Sequence, residues 1–173
     1  SCILNKVLTK TYNVNIILFI FHYFDVIHLD IDYMENYKDF TVDENKFPSF
    51  TNWLETLKND YNVSIVTIID SGVKLEKGYE VYDEGIKNNY FATLNNEVYV
   101  NEVWPGDSVF PNFNSKKTRN WWSKHCKELK EKGILGIWND MNEPASFRGP
   151  LPANVEFKDD KNKVHYHNEI HNV

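Results

Sequence analysis

Gly136-Ile137-Trp138-Asn139-Asp140-Met141-Asn142-Glu143-Pro144 is the stretch on which the reading of this chain turns. It grows out of an apolar run, Ile134 to Trp138, that suits a buried strand. It then becomes polar at once, with Asn139, Asp140, Asn142 and Glu143 in close succession, and Pro144 ends the regular hydrogen bonding. Two readings fit this pattern. Asp140 and Glu143 are loop carboxylates that cap the next helix, or they are reactive groups presented at the C-terminal edge of a parallel sheet, where β/α proteins keep their chemistry.

Working outward, the upstream chain alternates strand and helix patterns. Asp25–Asp32 reads as a strand carried by Val26, Ile27, Leu29 and Ile31, and it ends in Asp30 and Asp32. One of that pair caps a turn, or the pair holds a metal or a sugar. A metal wants more oxygen ligands than two residues supply. Phe50, Trp53, Leu54 and Leu57 are spaced as one helical face, with Ser49 or Thr51 as N-cap and Trp53 in the core. Val63–Ile69 is the next strand, followed by Asp70. Strand, helix and strand at this spacing predict a βαβ unit and a parallel sheet.

From Ser71 to Asn114 the pattern loosens, which is long for such a connection and suggests a functional loop. Within it, Asn95-Asn96 between two short apolar runs predicts a hairpin. Trp104-Pro105-Gly106 follows. Trp104 is either a buried anchor or an indole held outward by the turn that Pro105 and Gly106 set. A helix is predicted from a cap at Asn114 or Ser115 to Lys132, with Gly133 as its stop. Its apolar side is Trp121, Trp122, Cys126 and Leu129. Beyond Pro144, Pro150 and Pro152 mark irregular chain. His165, His167 and His171 then invite a zinc reading, but no carboxylate or thiol motif accompanies them, and no metal or cofactor is expected.

The bulk properties narrow the field. The 173 residues allow one domain with a real core, yet fall short of the roughly 250 of a closed (β/α)8 barrel. A net charge of −6 without a block of like charge argues against nucleic acid and anionic membranes as partners. Aromatic residues make up 15%, which serves a bulky core or the stacking of sugar rings. Cys2 and Cys126 have no CxxC partner and read as free thiols in a reducing, cytoplasmic compartment. The apolar run Val14–Phe21 is far short of the ~20 residues of a membrane span and lacks the flanks of a secretory signal.

WNDMNEP at 138–144 resembles the nucleophile motif of glycoside hydrolase family 31, the α-glucosidase family. Four further blocks resemble the same family in the same order: DVIHLDIDYMENYKDF (25–40), VTIIDSG (66–72), VWPGDSVFPNF (103–113) and NEIHNV (168–173). The wording is nearest to bacterial members that act on small α-glucosides. The resemblance covers 25–173; residues 1–24 do not show the family's pattern and are read as a divergent N-terminal segment.

The resemblance implies an α/β fold, a partial (β/α)8 TIM barrel of roughly strands 2 to 4 with their helices and a long inserted loop. It implies Asp140 as the nucleophile of a retaining hydrolysis, with Glu143 in support. It further implies Asp30 as acceptor of sugar hydroxyls, and Ile68, Trp104, Trp138 and Met141 as subsite walls. The partner is then an oligosaccharide or small α-glucoside. The acid/base carboxyl and the rest of the barrel are expected from sequence outside this segment, so a half barrel with open edges is expected to fold poorly by itself and to show little activity. An α-xylosidase, a transglucosidase and an inactive sugar-binding barrel fragment remain as alternatives.

Overall fold

A computed structural model describes residues 24–170. In chain order the elements are β1 (Val26–Leu29), α1 (Phe50–Tyr61), β2 (Ser64–Asp70), β3 (Val73–Lys74), α2 (Glu80–Asn88), β4 (Thr93–Leu94), β5 (Glu97–Val98), β6 (Val100–Val103), β7 (Gly106–Val109), α3 (Lys116–Glu131), β8 (Gly136–Asp140), β9 (Glu156–Lys158), β10 (Val164–Tyr166) and α4 (His167–Ile170). Two 3-10 turns, Ile31–Tyr33 and Glu35–Tyr37, lie between β1 and α1. The chain divides into two compact units. The first holds the described residues through Ile69 together with Cys126–Trp138; the second holds Asp70–His125 together with the described residues from Asn139 onward. The divergent segment expected at 1–24 lies, but for its last residue, outside the described residues.

The first unit contains the expected βαβ unit. β1 and β2 are parallel, with Val26 opposite Ser64 and Leu29 opposite Thr67, and the sheet runs β1-β2-β8. The strands are rich in β-branched residues, which favour the pleated backbone. Ile27, Leu29, Ile65, Ile68 and Ile69 are all buried, each contributing roughly 1.5–3 kcal/mol of hydrophobic stabilisation. α1 adds Phe50, Leu54 and Leu57, the periodic positions of its sequence. Ser49 stands at the cap in a left-handed conformation (φ 56) and makes no side-chain cap bond. Trp53 is only half-buried, set 5.3 Å from Phe47 and 5.8 Å from Phe50.

β8 departs from the buried strand that its apolar run predicts. Ile134 is buried, but Leu135 and Trp138 are exposed. The reason is topological: β8 ends the sheet order, so among the described residues one edge has no strand beyond it. The strand also begins later than the apolar run, at Gly136, and carries Asp140 as its last residue.

The second unit occupies the region read as a loose loop, and it is more regular than that. β3-β7-β6 and β10-β9-β4-β5 form two small sheets, antiparallel in each pairing described. Ala92, Tyr99, Val103, Phe110, Leu151, Val155 and Phe157 make its core. Asn95 and Asn96 both take left-handed φ (52° and 66°) between paired Leu94 and Glu97, as a two-residue hairpin turn requires.

The helix α2 was not expected. Its buried face holds Val81 and Gly85, and a Cβ at Gly85 would stand 2.2 Å from Phe91 Cζ. The glycine is therefore a packing residue, not a breaker. α3 matches its predicted span. Its first turn is capped from a distance: Asp160 Oδ1 accepts the Lys116 N–H at 2.8 Å and the Ser115 hydroxyl at 3.1 Å. Trp121 and His125 are buried on it, and both reach Glu84 Oε2 of α2, at 3.0 and 3.2 Å.

Candidate active site

Asp140 closes β8, and the chain turns sharply after it. Met141 adopts φ 58, a left-handed conformation that costs a side-chain-bearing residue about 1–2 kcal/mol. Three contacts offset this cost. Ser71 Oγ donates to the Met141 carbonyl at 2.9 Å. The Ala145 N–H donates to the same oxygen at 3.1 Å. The Met141 side chain packs against the core of the second unit. The residue next to Asp140 is thus held at its backbone and its side chain. Asn142 and Glu143 are exposed on the loop that follows, and the Glu143–Pro144 bond is cis.

Trp104 sits at the tip of the β6–β7 hairpin. Val103 pairs with Gly106, leaving Trp104-Pro105 as the loop, and Gly106 takes φ 95 to close it. The indole is 49% exposed, which settles between the two readings of this residue in favour of an outward ring. It is not unsupported, because Phe147 meets it edge-on at 4.9 Å. The Phe147 N–H also donates to the Glu102 carbonyl at 2.8 Å. Arg148 completes the joint: Nε reaches Glu102 Oε2 at 2.8 Å and NH2 reaches Asp107 Oδ1 at 2.6 Å. These bonds to Glu102 and then Asp107 raise the pKa of the guanidinium further.

In the first unit, Asp30 follows β1 and caps the first 3-10 turn, its Oδ1 accepting the Ile31 N–H at 2.8 Å. Asp32 lies inside that turn, and its carbonyl accepts from Lys46 Nζ at 3.0 Å. Ile68 is 2% exposed and belongs to the core; its carbonyl accepts the Tyr33 hydroxyl at 3.0 Å. Trp138 is exposed on β8, with His28 of β1 edge-on at 6.4 Å.

The second unit therefore brings Asp140, Met141, Glu143 and Trp104 onto one loop and the hairpin tied to it. Asp30, Ile68 and Trp138 belong to the first unit. His165 Nε2 lies 3.3 Å from Asp159 Oδ2, and His171 is outside the described residues. Among the described residues no group of three His, Cys, Asp or Glu is placed to hold a metal ion, and no helix is long and apolar enough to cross a membrane.

Sequence reasoning passed over Ser71, Glu102, Asp107 and Arg148. Ser71 was legible only as part of the DSG string. Arg148 carried one signal, as one of two arginines in the chain, with nothing local to name its partners.

Residues 23–173 match the family model described as "Glycosyl hydrolases family 31 TIM-barrel domain". "Alpha-glucosidase 2" of Bacillus thermoamyloliquefaciens is 43% identical over 151 residues, covering 86% of this chain and 19% of the relative. "Alpha-glucosidase" of Saccharolobus solfataricus is 33% identical over 154 residues, covering 81% and 22%. The crystal structure of an ER glucosidase II heterodimeric complex, a catalytic subunit with the binding domain of a regulatory subunit, contains a chain that superposes with a TM-score of 0.78 at 31% identity. That match covers 92% of this chain and 18% of the solved one. The chain thus spans about a fifth of the length of these relatives.

Proposed function

The chain belongs to the glycosyl hydrolase family 31 TIM-barrel domain, a partial (β/α)8-type fold in the class of glycosidases, and from that premise we propose that it supplies the nucleophile half of a retaining α-glucosidase site. The observation that carries the proposal is Asp140 at the end of β8, followed by a left-handed Met141 whose carbonyl is held by Ser71. A nucleophilic carboxylate has to be aimed at the anomeric carbon, and a strand end followed by a fastened loop aims it.

The reaction is a double displacement. An Asp140 oxygen bonds to the anomeric carbon as the glycosidic C–O bond breaks. The leaving oxygen takes a proton from a general acid, which we place on a later strand of the full barrel. Water then attacks the same carbon and gives its proton to that residue, and the Asp140 carboxylate is released. Two inversions return the α configuration. Glu143 contributes negative potential beside the oxocarbenium-like transition state.

Asp30 accepts hydrogen bonds donated by the sugar hydroxyls through the carboxylate oxygen that does not cap its turn. Trp104, Trp138 and Met141 wall the sugar, while Ile68, lacking open side-chain surface, acts only through the strand it packs. The barrel range, strands 2 to 4, belongs to the same proposal. A reducing, cytoplasmic setting is supported by the free thiol of Cys126.

The test is made on the full protein that carries this chain, with p-nitrophenyl α-D-glucopyranoside. Proton NMR should show α-glucose as the first product, and Asp140→Asn should lower kcat by at least about three orders of magnitude. Release of β-glucose first, or undiminished turnover by Asp140→Asn, overturns the reading.

A further inference from the structure

Glu102 and Asp107 face each other across the β6–β7 hairpin. Like charges directly opposite on neighbouring strands destabilise the pair, and here they flank the two-residue loop that carries Trp104. The compensating cation does not come from the hairpin. It comes from Arg148, eight positions beyond Asp140 in the sequence, and its guanidinium forks across both carboxylates at 2.8 and 2.6 Å. The adjoining residue repeats the link twice, through the Phe147 N–H on the Glu102 carbonyl and through the Phe147 ring on the Trp104 indole. A single exposed ion pair contributes little to stability. This one is a three-membered network with fork geometry, which lysine cannot reproduce, and it joins the loop after Asp140 to the hairpin that bears the exposed indole.

We infer that Arg148 is a positioning residue for sugar binding: it locks the Trp104 hairpin to the loop that follows the nucleophile, and so sets where the indole stands for the incoming glucoside. The inference rests on the α-glucosidase reading above. Arg148 touches no reacting atom in this scheme; it acts through Trp104, so its removal is felt in KM more than in kcat.

The experiment is a variant series in the full protein, assayed with p-nitrophenyl α-D-glucopyranoside. Arg148→Ala should raise KM about fivefold and change kcat by less than about twofold. Arg148→Lys should recover less than half of that loss, because an ammonium bridges one carboxylate and not two. In a Trp104→Ala background, Arg148→Ala should add no further change in KM, since residues that act through one another are not additive. An unchanged KM in Arg148→Ala, or the same rise with and without Trp104, overturns the inference. If Arg148→Ala does not fold, Glu102→Gln replaces it; a smaller rise in KM supports the clamp and an unchanged KM refutes it. Asp140→Asn separates the two claims. If that variant still turns over substrate, the α-glucosidase reading falls and takes the clamp with it. If it is dead while Arg148→Ala keeps its KM, the clamp alone falls.

Discussion

Replacing Gly72 by alanine puts a methyl group where Val103 already stands. A Cβ at Gly72 would lie 2.3 Å from Val103 Cγ2 and 3.5 Å from its Cβ. Comfortable carbon–carbon contact begins near ~3.5 Å, so the valine methyl must retreat by about 1.2 Å. Val103 is 2% exposed, and a β-branched side chain has few rotamers to retreat into. Overpacking of this kind costs about 1–3 kcal/mol.

An opposing effect exists. Alanine restricts the unfolded chain and returns about 0.4–1 kcal/mol where the backbone accepts it, and Gly72 does not need a left-handed φ. The clash is larger, so Gly72→Ala should lose about 1–2 kcal/mol. Val103→Ala alone should lose roughly 2 kcal/mol from two buried methyls and the space they leave. The double variant should lose at least about 1 kcal/mol less than the sum, because the smaller residue at 103 makes room for the methyl at 72. Urea unfolding followed by tryptophan fluorescence measures all three midpoints. A Gly72→Ala protein as stable as the parent, or a double variant whose loss equals the sum of the singles, refutes the argument.

Two further outcomes follow from titrating groups away from the site. Burial raises the pKa of Glu84, but Lys124, His125 and the Trp121 N–H outweigh it and hold the carboxyl below its ordinary 4.5. A depressed carboxyl stabilises the fold above its unfolded pKa and loses that contribution as pH falls through the folded value. Stability should therefore drop on acidification below pH 4.5, and Glu84→Gln should flatten that part of a pH–urea profile; an unchanged profile counts against it. Burial, assisted by the charge of Asp39, pushes the Cys126 thiol up to about 11. At pH 8 iodoacetamide should label the Cys126 peptide far more slowly in the native protein than in urea, as peptide mapping would show, and equal rates would contradict the assignment.

In the first unit local periodicity was enough for α1 and for the pairing of β1 with β2, though not for β8, for the half-buried Trp53, or for Ile31, which leaves the strand for a 3-10 turn. Phe50, Leu54 and Leu57 declare α1 by burying one apolar face, and the Ile-rich strands around it declare a parallel pair, β2 burying neighbouring Ile68 and Ile69 on both of its faces. The second unit hides its regularity behind residues that break the usual rules. Gly85 looks like an interruption of α2, yet it is the small residue that admits the Phe91 ring. At the start of β6 a polar residue takes the inward place and an apolar one the outward place. Asn101 is buried, donating to the Tyr99 hydroxyl at 2.6 Å and accepting the Glu102 N–H at 2.8 Å, while Val100 is exposed.

The candidate site divides in the same way. Asp140, Glu143 and Trp104 could be singled out from short strings. The groups that hold the loop and hairpin in place could not, because Ser71–Met141 and Arg148–Glu102 join positions 70 and 46 residues apart. Such pairs have no signature in either partner's neighbourhood.

The cap of α3 has a consequence for the order in which the protein comes into being. Asp160 follows Lys116 by 44 positions, so the start of the helix leaves the ribosome before the carboxylate that finishes its first turn has emerged. Until Asp160 emerges, the Lys116 amide lacks that acceptor, and the loop that must close to supply it is long, which makes the contact slow to form. The first turn of α3 is therefore completed only after the chain around Asp160 has folded back onto it. A nascent chain halted short of Asp160 would carry the helix with its first turn frayed.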